Sequence, residues 1–157
     1  MIQLLKYGNT NCYYIKGKNG SILVDTDWAG TLQAFYKKVK ELKKLGKQPV
    51  LLSLPPIDAI KYFDYISRKL NADNILKWME GNKQFLTNWH ERYNIEVFKL
   101  AINNDIPIID ITSKFLEIKN YSKLLCDDGI HPNEEGHTII AEAIKEHIEK
   151  RKIKLVG

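Results

Sequence analysis

The residues whose types and spacing could support chemistry are concentrated in one short segment of the chain. Asp128 and His131 stand three residues apart, with Gly129 between them to permit a tight turn. Pro132 follows, and Asn133 can cap a helix whose first turn carries two glutamates. A carboxylate one turn from an imidazole fixes the tautomer of the ring and stabilises its protonated form, as a general base requires. The spacing therefore suggests a general-base pair made of Asp128 and His131.

An Asp-x-x-His pair alone is more often structural, with Asp128 capping a turn and His131 packed beside it. The longer run over residues 126–137, Cys-Asp-Asp-Gly-Ile-His-Pro-Asn-Glu-Glu-Gly-His, favours the catalytic interpretation. This run closely resembles the last sequence block of the SGNH (GDSL-type) hydrolases, in which an Asp-x-x-His pair completes a Ser-His-Asp triad. The resemblance implies that His131 is the general base and that Asp128 is its orienting partner.

The elements that must position this pair alternate between strand and helix. Continuous apolar runs predict buried strands over residues 49–54 and 106–111. Apolar residues at spacings of three and four predict amphipathic helices on either side of the second strand, over residues 58–70, 82–104 and 133–150. Such alternation predicts a parallel sheet with helices outside it.

Residues 47–150 resemble the C-terminal half of SGNH hydrolases of the acyl-esterase kind. Besides the Asp128/His131 block, the matching segments are Pro-Val-Leu-Leu-Ser-Leu-Pro-Pro-Ile-Asp at 49–58, Trp-His-Glu-Arg-Tyr-Asn at 89–94 and Ile-Ile-Asp-Ile at 108–111. The family's Gly-Asp-Ser, glycine and Gly-x-Asn-Asp blocks have no counterpart in this sequence. The resemblance implies acyl or acetyl ester substrates with no metal and no organic cofactor, and the missing nucleophile and oxyanion groups predict weak or no activity for this chain.

The first part of the chain has a different pattern. Residues 2–6, 11–16 and 21–25 are predicted strands joined by turn signals, and a helix is expected over 31–45. Residues 1–35 resemble the first hairpin and helix of the metallo-β-lactamase fold, although Asp27 replaces the usual glycine. A zinc hydrolase is nevertheless disfavoured, because the four histidines include no His-x-His pair and the zinc motif of that family is absent.

We therefore expect a single α/β domain over residues 1–157, with two family-like segments joined between residues 29 and 43. The expected fold is three-layered and flavodoxin-like or SGNH-like, with a mostly parallel sheet and an antiparallel N-terminal hairpin at its edge. Residues 21–25 are expected to run parallel to 49–54 and 106–111, as the first strand of a right-handed crossover.

Thr26 is the candidate for a surrogate nucleophile. It follows the predicted strand over residues 21–25, and ligands bind outside the carboxyl ends of parallel strands. Residues 24–30 also resemble a Gly-Asp-Ser-Leu-x-x-Gly loop, with Thr26 in the place of serine. The expected strand order argues against this role, because a nucleophile must lie within hydrogen-bond reach of its base.

The remaining reactive or aromatic residues are given structural roles. Ser53 and Cys126 are predicted to be buried, and Asp58 is predicted to cap a helix. Trp89 and Tyr93 follow the apolar stripe of the helix over 82–104 and are expected in the core. The other histidines are expected to cap or pack, in the case of His137, or to be solvated, in the case of His90 and His147.

Composition limits the partners. The net charge of +5 comes from 21 Lys and only 3 Arg, which argues against nucleic-acid binding because phosphate and base recognition favour arginine. No signal peptide and no membrane-spanning run is apparent, so a cytoplasmic protein that makes no membrane contact is expected. The alternative to an esterase is a non-catalytic α/β domain of structural interest, with self-association through exposed sheet edges.

Overall fold

The computed structural model describes residues 2–7, 10–16, 21–24 and 32–154 of the chain. They form mixed α/β structure that is rich in helix and contains a small parallel sheet. The strands are β1 (Ile2–Tyr7), β2 (Thr10–Lys16), β3 (Ser21–Val24), β4 (Leu51–Leu52) and β5 (Ile108–Ile109). The helices are α1 (Leu32–Lys44), α2 (Ala59–Ile66), α3 (Ala72–Trp78), α4 (Phe85–Asn103), α5 (Ile111–Leu116) and α6 (Glu134–Lys154), with a 3-10 helix at Tyr121–Leu124.

The chain packs as two compact units, one containing residues up to 52 with 96–109 and the other containing 53–95 with 110 onward. In the first unit, β4 and β5 pair in parallel, with Leu51 opposite Ile108 and Leu52 opposite Ile109. These residues are the centres of the two predicted buried strands. Helix α1 ends where predicted, because Gly46 adopts a φ of 68° and lets the amide of Lys47 reach back to the carbonyl of Leu42 at 3.0 Å.

The strand over residues 21–25 does not join the parallel sheet, so this prediction is wrong. β1, β2 and β3 form a separate antiparallel sheet, in which Ser21–Val24 pairs with β2. Only four residues separate β2 from β3, and a hairpin partner so close in sequence costs little loop-closure entropy. The predicted place of this hairpin at the edge of the parallel sheet stays a prediction.

The second unit carries the core around which its helices pack. Its buried apolar side chains come from α2, α5, α6, the 3-10 helix and the connections between these elements: Ile57, Ala59, Phe63, Met79, Ile111, Phe115, Leu124, Leu125 and Ala143. Helices α2, α3 and α5 begin at side-chain caps, because Asp58, Asn71 and Asp110 each accept a backbone N–H of the first turn. The cap at Asp58 was predicted, whereas the short helix α5 was not.

The prediction of a single domain over residues 1–157 is not tested by this division into units and stays a prediction. No helix in the described part of the chain is long and apolar enough to cross a bilayer.

Phe115 offers a test of the core of the second unit, because its side chain is completely buried while its neighbour Leu116 is 54% exposed. We expect Phe115→Ala to lower the free energy of unfolding by about 3–5 kcal/mol, through lost burial and the cavity left behind. Leu116→Ala on the same helix should cost about 1 kcal/mol or less. Urea denaturation of the two variants measures both values, and equal losses would contradict the assignment of this core.

Candidate active site

The segment that carries Asp128 and His131 is a tight turn closed by the carboxylate itself. Oδ1 of Asp128 accepts the backbone N–H groups of Ile130 at 3.0 Å and of His131 at 3.1 Å. Gly129 adopts a φ of 71°, which other residues rarely adopt, and its N–H donates to the carbonyl of Cys126 at 3.0 Å. The side chain of Asp128 therefore organises the backbone that leads to His131.

The second oxygen of the same carboxylate binds the imidazole. Oδ2 of Asp128 lies 2.5 Å from Nδ1 of His131, and the two side chains differ in exposure, at 18% for Asp128 and 73% for His131. Since a carboxylate accepts, Nδ1 carries the proton and Nε2 is left with its lone pair. Such a ring can take a proton at Nε2 while the carboxylate stabilises the imidazolium that results.

The two ends of the turn are joined by backbone pairing. Leu125 and Pro132 form an isolated antiparallel bridge, and the N–H of Cys126 donates to the carbonyl of His131 at 2.8 Å. Asn133 then begins α6, because its Oδ1 accepts the N–H of Gly136 at 3.0 Å, as the sequence predicted.

The pKa of Asp128 reflects two opposing effects. Partial burial acts to raise the pKa of this carboxyl. Hydrogen bonds from the His131 ring and from the amides of His131 and Ile130 outweigh burial, so the pKa lies below its usual value. The carboxylate is therefore charged at neutral pH, as an orienting partner for an imidazole must be.

Among the described residues, Asp128 is the one side chain hydrogen-bonded to the His131 ring. Thr26 lies outside the described residues, and its role as a surrogate nucleophile stays a prediction. No group of three or more His, Cys, Asp or Glu side chains that could hold a metal ion occurs in the described part of the chain.

Ser53 is buried as predicted, at 1% exposure, and its hydroxyl is fully engaged. Its Oγ accepts the N–H groups of Ile111 at 2.8 Å and Thr112 at 2.9 Å, and lies 3.3 Å from Oδ1 of Asp110. Asn94 extends this buried network, because its side chain accepts the N–H of Leu54 and donates to the Thr112 hydroxyl. Ser53 therefore joins backbone segments and is not available as a nucleophile.

Several predictions about single side chains are wrong, and one of them concerns His137, which was expected to cap or pack and is exposed. Cys126 is exposed, and its Sγ lies 3.6 Å from the carbonyl oxygen of Pro132. Trp89 is 47% exposed and the side chain of His90 only 16%, because the buried face of α4 runs through Asn94, which is 3% exposed. Burial lowers the pKa of His90, although the neighbouring Glu91 acts to raise it. The neutral form of this imidazole is therefore favoured.

The contacts that Asp58 and Ser122 make behind the turn are not indicated by the sequence. Oδ2 of Asp58 accepts the hydroxyl of Ser122 at 2.5 Å, and the N–H of Asp58 donates to the carbonyl of Gly129 at 2.8 Å. Both residues also border a cleft of about 260 Å³, which is lined by Ile57, Asp58, Ala59, Gln84, Thr87, Lys119, Asn120, Tyr121 and Ser122. Helix-capping spacing predicted the cap at Asp58, but nothing local to Ser122 predicts its partner.

The family model for GDSL-like lipases and acylhydrolases matches residues 19–144 of the chain. The chain belongs to the GDSL-like lipase/acylhydrolase family. The SGNH resemblance of residues 47–150 is thereby confirmed. The match begins inside the segment 1–35, whose likeness to the metallo-β-lactamase fold is not shown and stays a prediction.

Among solved structures, the fold is similar to that of a GDSL-like lipase from Bacteroides thetaiotaomicron VPI-5482. The two chains are 20% identical, with a TM-score of 0.53 over 78% of this chain and 52% of the lipase. This chain thus spans about half the length of that protein, and the likeness concerns the fold alone. A search of curated proteins finds no match to this chain.

Gly129 provides a steric test of the turn. An added Cβ would lie 2.6 Å from the carbonyl oxygen of Asp58 and 2.7 Å from Cβ of Lys61, whereas at Gly81, with a φ of 78°, it would meet nothing within 4 Å. Gly81→Ala should therefore lower the free energy of unfolding only by the strain of holding alanine in a left-handed backbone conformation, about 1–2 kcal/mol. We expect Gly129→Ala to cost clearly more, measured by chemical denaturation. Equal costs would show that the turn is not packed against α2.

The lowered pKa of Asp128 predicts a pH dependence of stability. A carboxyl whose pKa is lower in the folded than in the unfolded chain stabilises the fold above the unfolded pKa of about 3.9, and this contribution is lost as the pH falls through the folded pKa. Asp128→Asn should flatten the decline in unfolding free energy below about pH 5. Asp127→Asn removes the exposed neighbouring carboxylate and is the matched control. Identical pH profiles for the two variants would contradict the prediction.

Proposed function

We propose that this chain carries the general-base part of a GDSL-type ester hydrolase site, with His131 as the base and Asp128 as its orienting partner. The observation that supports this role is the 2.5 Å contact between Nδ1 and Oδ2 in a ring that is 73% exposed. The family match supports acyl or acetyl esters as the substrate class. No cofactor is part of the proposal.

The proposed chemistry uses the two nitrogens of His131 in different ways. Nδ1–H stays bonded to Asp128, while Nε2 removes the proton of a hydroxyl or water as its oxygen attacks the ester carbonyl carbon. The imidazolium formed is stabilised by the Asp128 carboxylate. When the carbonyl re-forms and the ester C–O bond breaks, Nε2 returns its proton to the departing alkoxide.

The rate proposed for this chain by itself is low. A positioned general base contributes about 10²–10⁴-fold, and each missing oxyanion donor costs about 10²–10³-fold. The sequence has no counterpart of the Gly-Asp-Ser or Gly-x-Asn-Asp blocks. We therefore propose that the chain alone hydrolyses activated esters far more slowly than an intact hydrolase of this family, with His131 as the main contributor to the rate.

The alternative is a non-catalytic α/β domain of the same family. The observation that favours it is that no hydroxyl or thiol within residues 36–151, where the side chains are described, hydrogen-bonds to His131. The metallo-β-lactamase likeness of residues 1–35 is kept as a proposal about that segment only. We propose no zinc chemistry for this segment, because the chain has no His-x-His pair.

Hydrolysis of 4-nitrophenyl acetate separates these possibilities. We expect His131→Ala to remove most of the small protein-dependent rate. His137→Ala, which removes another exposed histidine that lacks a described carboxylate partner, should change it little. Equal effects of the two variants would show that the Asp128–His131 pair adds nothing to an ordinary surface imidazole and would support the non-catalytic alternative.

A serine-directed fluorophosphonate probe should leave the chain unlabelled in the same preparation. Stoichiometric labelling that disappears in His131→Ala would contradict the low rate proposed above, because it requires an activated hydroxyl in this chain. Thr26→Ala would then be the first variant to examine.

A further inference from the structure

The turn that carries the dyad rests directly on the first turn of α2. The N–H of Asp58 donates to the carbonyl of Gly129 at 2.8 Å, and the absence of a side chain at Gly129 lets the two backbones meet. Gly129 follows Asp128 directly and precedes His131 by two residues. Movement of the α2 N-terminus would therefore move both members of the dyad.

Asp58 uses its two carboxylate oxygens for different purposes. Oδ1 accepts the N–H groups of Ile60 at 3.0 Å and Lys61 at 2.9 Å, which completes the helix cap. Oδ2 is not needed for capping and accepts the hydroxyl of Ser122 at 2.5 Å. A charged acceptor makes this bond stronger than one between neutral groups.

Ser122 belongs to the segment that holds the other side of the dyad turn. Lys61 Nζ donates to the carbonyl of Ser122 at 2.8 Å, and the hydroxyl of Tyr121 donates to the carbonyl of Ile57 at 3.1 Å. Four residues after Ser122, the N–H of Cys126 donates to the carbonyl of His131. Asp58 thus reaches the dyad turn from two sides, directly at Gly129 and through Ser122.

We propose that Asp58 is a positioning residue for the Asp128–His131 dyad, acting through its backbone bond to Gly129 and through its carboxylate bond to Ser122. This role rests on the proposed function of His131 as the general base. A helix cap needs contacts only within its own first turn, so the bond of Oδ2 to Ser122, 64 positions away, is the feature that distinguishes positioning from capping. Asp58 does not contact the His131 ring and is not a catalytic residue.

Asp110 is a matched control within the same unit. It also caps a helix and also accepts a serine hydroxyl, that of Ser113, at 2.6 Å. It makes no described hydrogen bond to residues 121–133. Asp110→Asn therefore imitates the chemical change of Asp58→Asn without touching the dyad turn, and asparagine remains a good cap at both sites.

The test is the tautomer of the His131 ring, observed by two-bond ¹H–¹⁵N correlation on histidine-labelled protein at neutral pH and assigned with His131→Gln. The wild-type chain should show a predominant Nδ1–H form. Asp58→Asn and Ser122→Ala should each shift His131 toward a mixture of tautomers, and the double variant should change it no further. Asp110→Asn and Ser122→Thr, which keeps the hydroxyl, should retain the wild-type pattern.

Two outcomes would overturn the positioning role: an unchanged His131 tautomer in both folded variants, or an equal shift in Asp110→Asn. Folding is checked by the amide spectrum of each variant. The readout does not depend on ester hydrolysis. A shifted tautomer in a chain that hydrolyses no ester would leave the positioning role intact and contradict the proposed function. An unchanged tautomer in a chain that hydrolyses esters through His131 would contradict the positioning role and leave the proposed function intact.

Discussion

The close contact between Gly129 and the first turn of α2 is the constraint on which the site depends. It joins two backbones, with the carbonyl of Gly129 bonded to the N–H of Asp58. Any Cβ at Gly129 would come within 3 Å of three atoms of α2. Side chains can adapt to a neighbour by changing rotamer, but main-chain groups in contact leave little freedom. The position of the Asp128–His131 turn therefore follows from the position of α2.

The second unit fixes its helices through polar groups near their N-terminal ends. Asp58 and Asp110 cap α2 and α5, and Asn133 caps α6. The buried hydroxyl of Ser53 accepts two amides at the start of α5. Because buried amides must be hydrogen-bonded, these side chains determine where the chain can turn from an extended segment into a helix. The fold thus places two carboxylates at helix starts, and one of them, Asp58, borders the dyad turn.

The geometry of the dyad is local, whereas a nucleophile would have to come from another part of the fold. Asp128 bonds two amides and the imidazole within four consecutive residues. Such a unit keeps its form as long as its turn is supported from behind. Membership of the GDSL-like family and the presence of a formed dyad are therefore compatible with a low rate for this chain alone.

Features whose geometry is complete within a few residues could be predicted from the sequence. These are the caps at Asp58 and Asn133, the end of α1 at Gly46 and the Asp128-x-x-His131 contact. Three features depended on the folded chain as a whole: which face of α4 is buried, that β3 stays out of the parallel sheet, and that Ser122 meets Asp58 across 64 positions. Periodicity allows several rotations of a helix, and turn signals allow several partners for a strand. The choice among them depends on burying apolar surface and pairing backbone groups over the whole unit, and no short stretch of sequence contains that information.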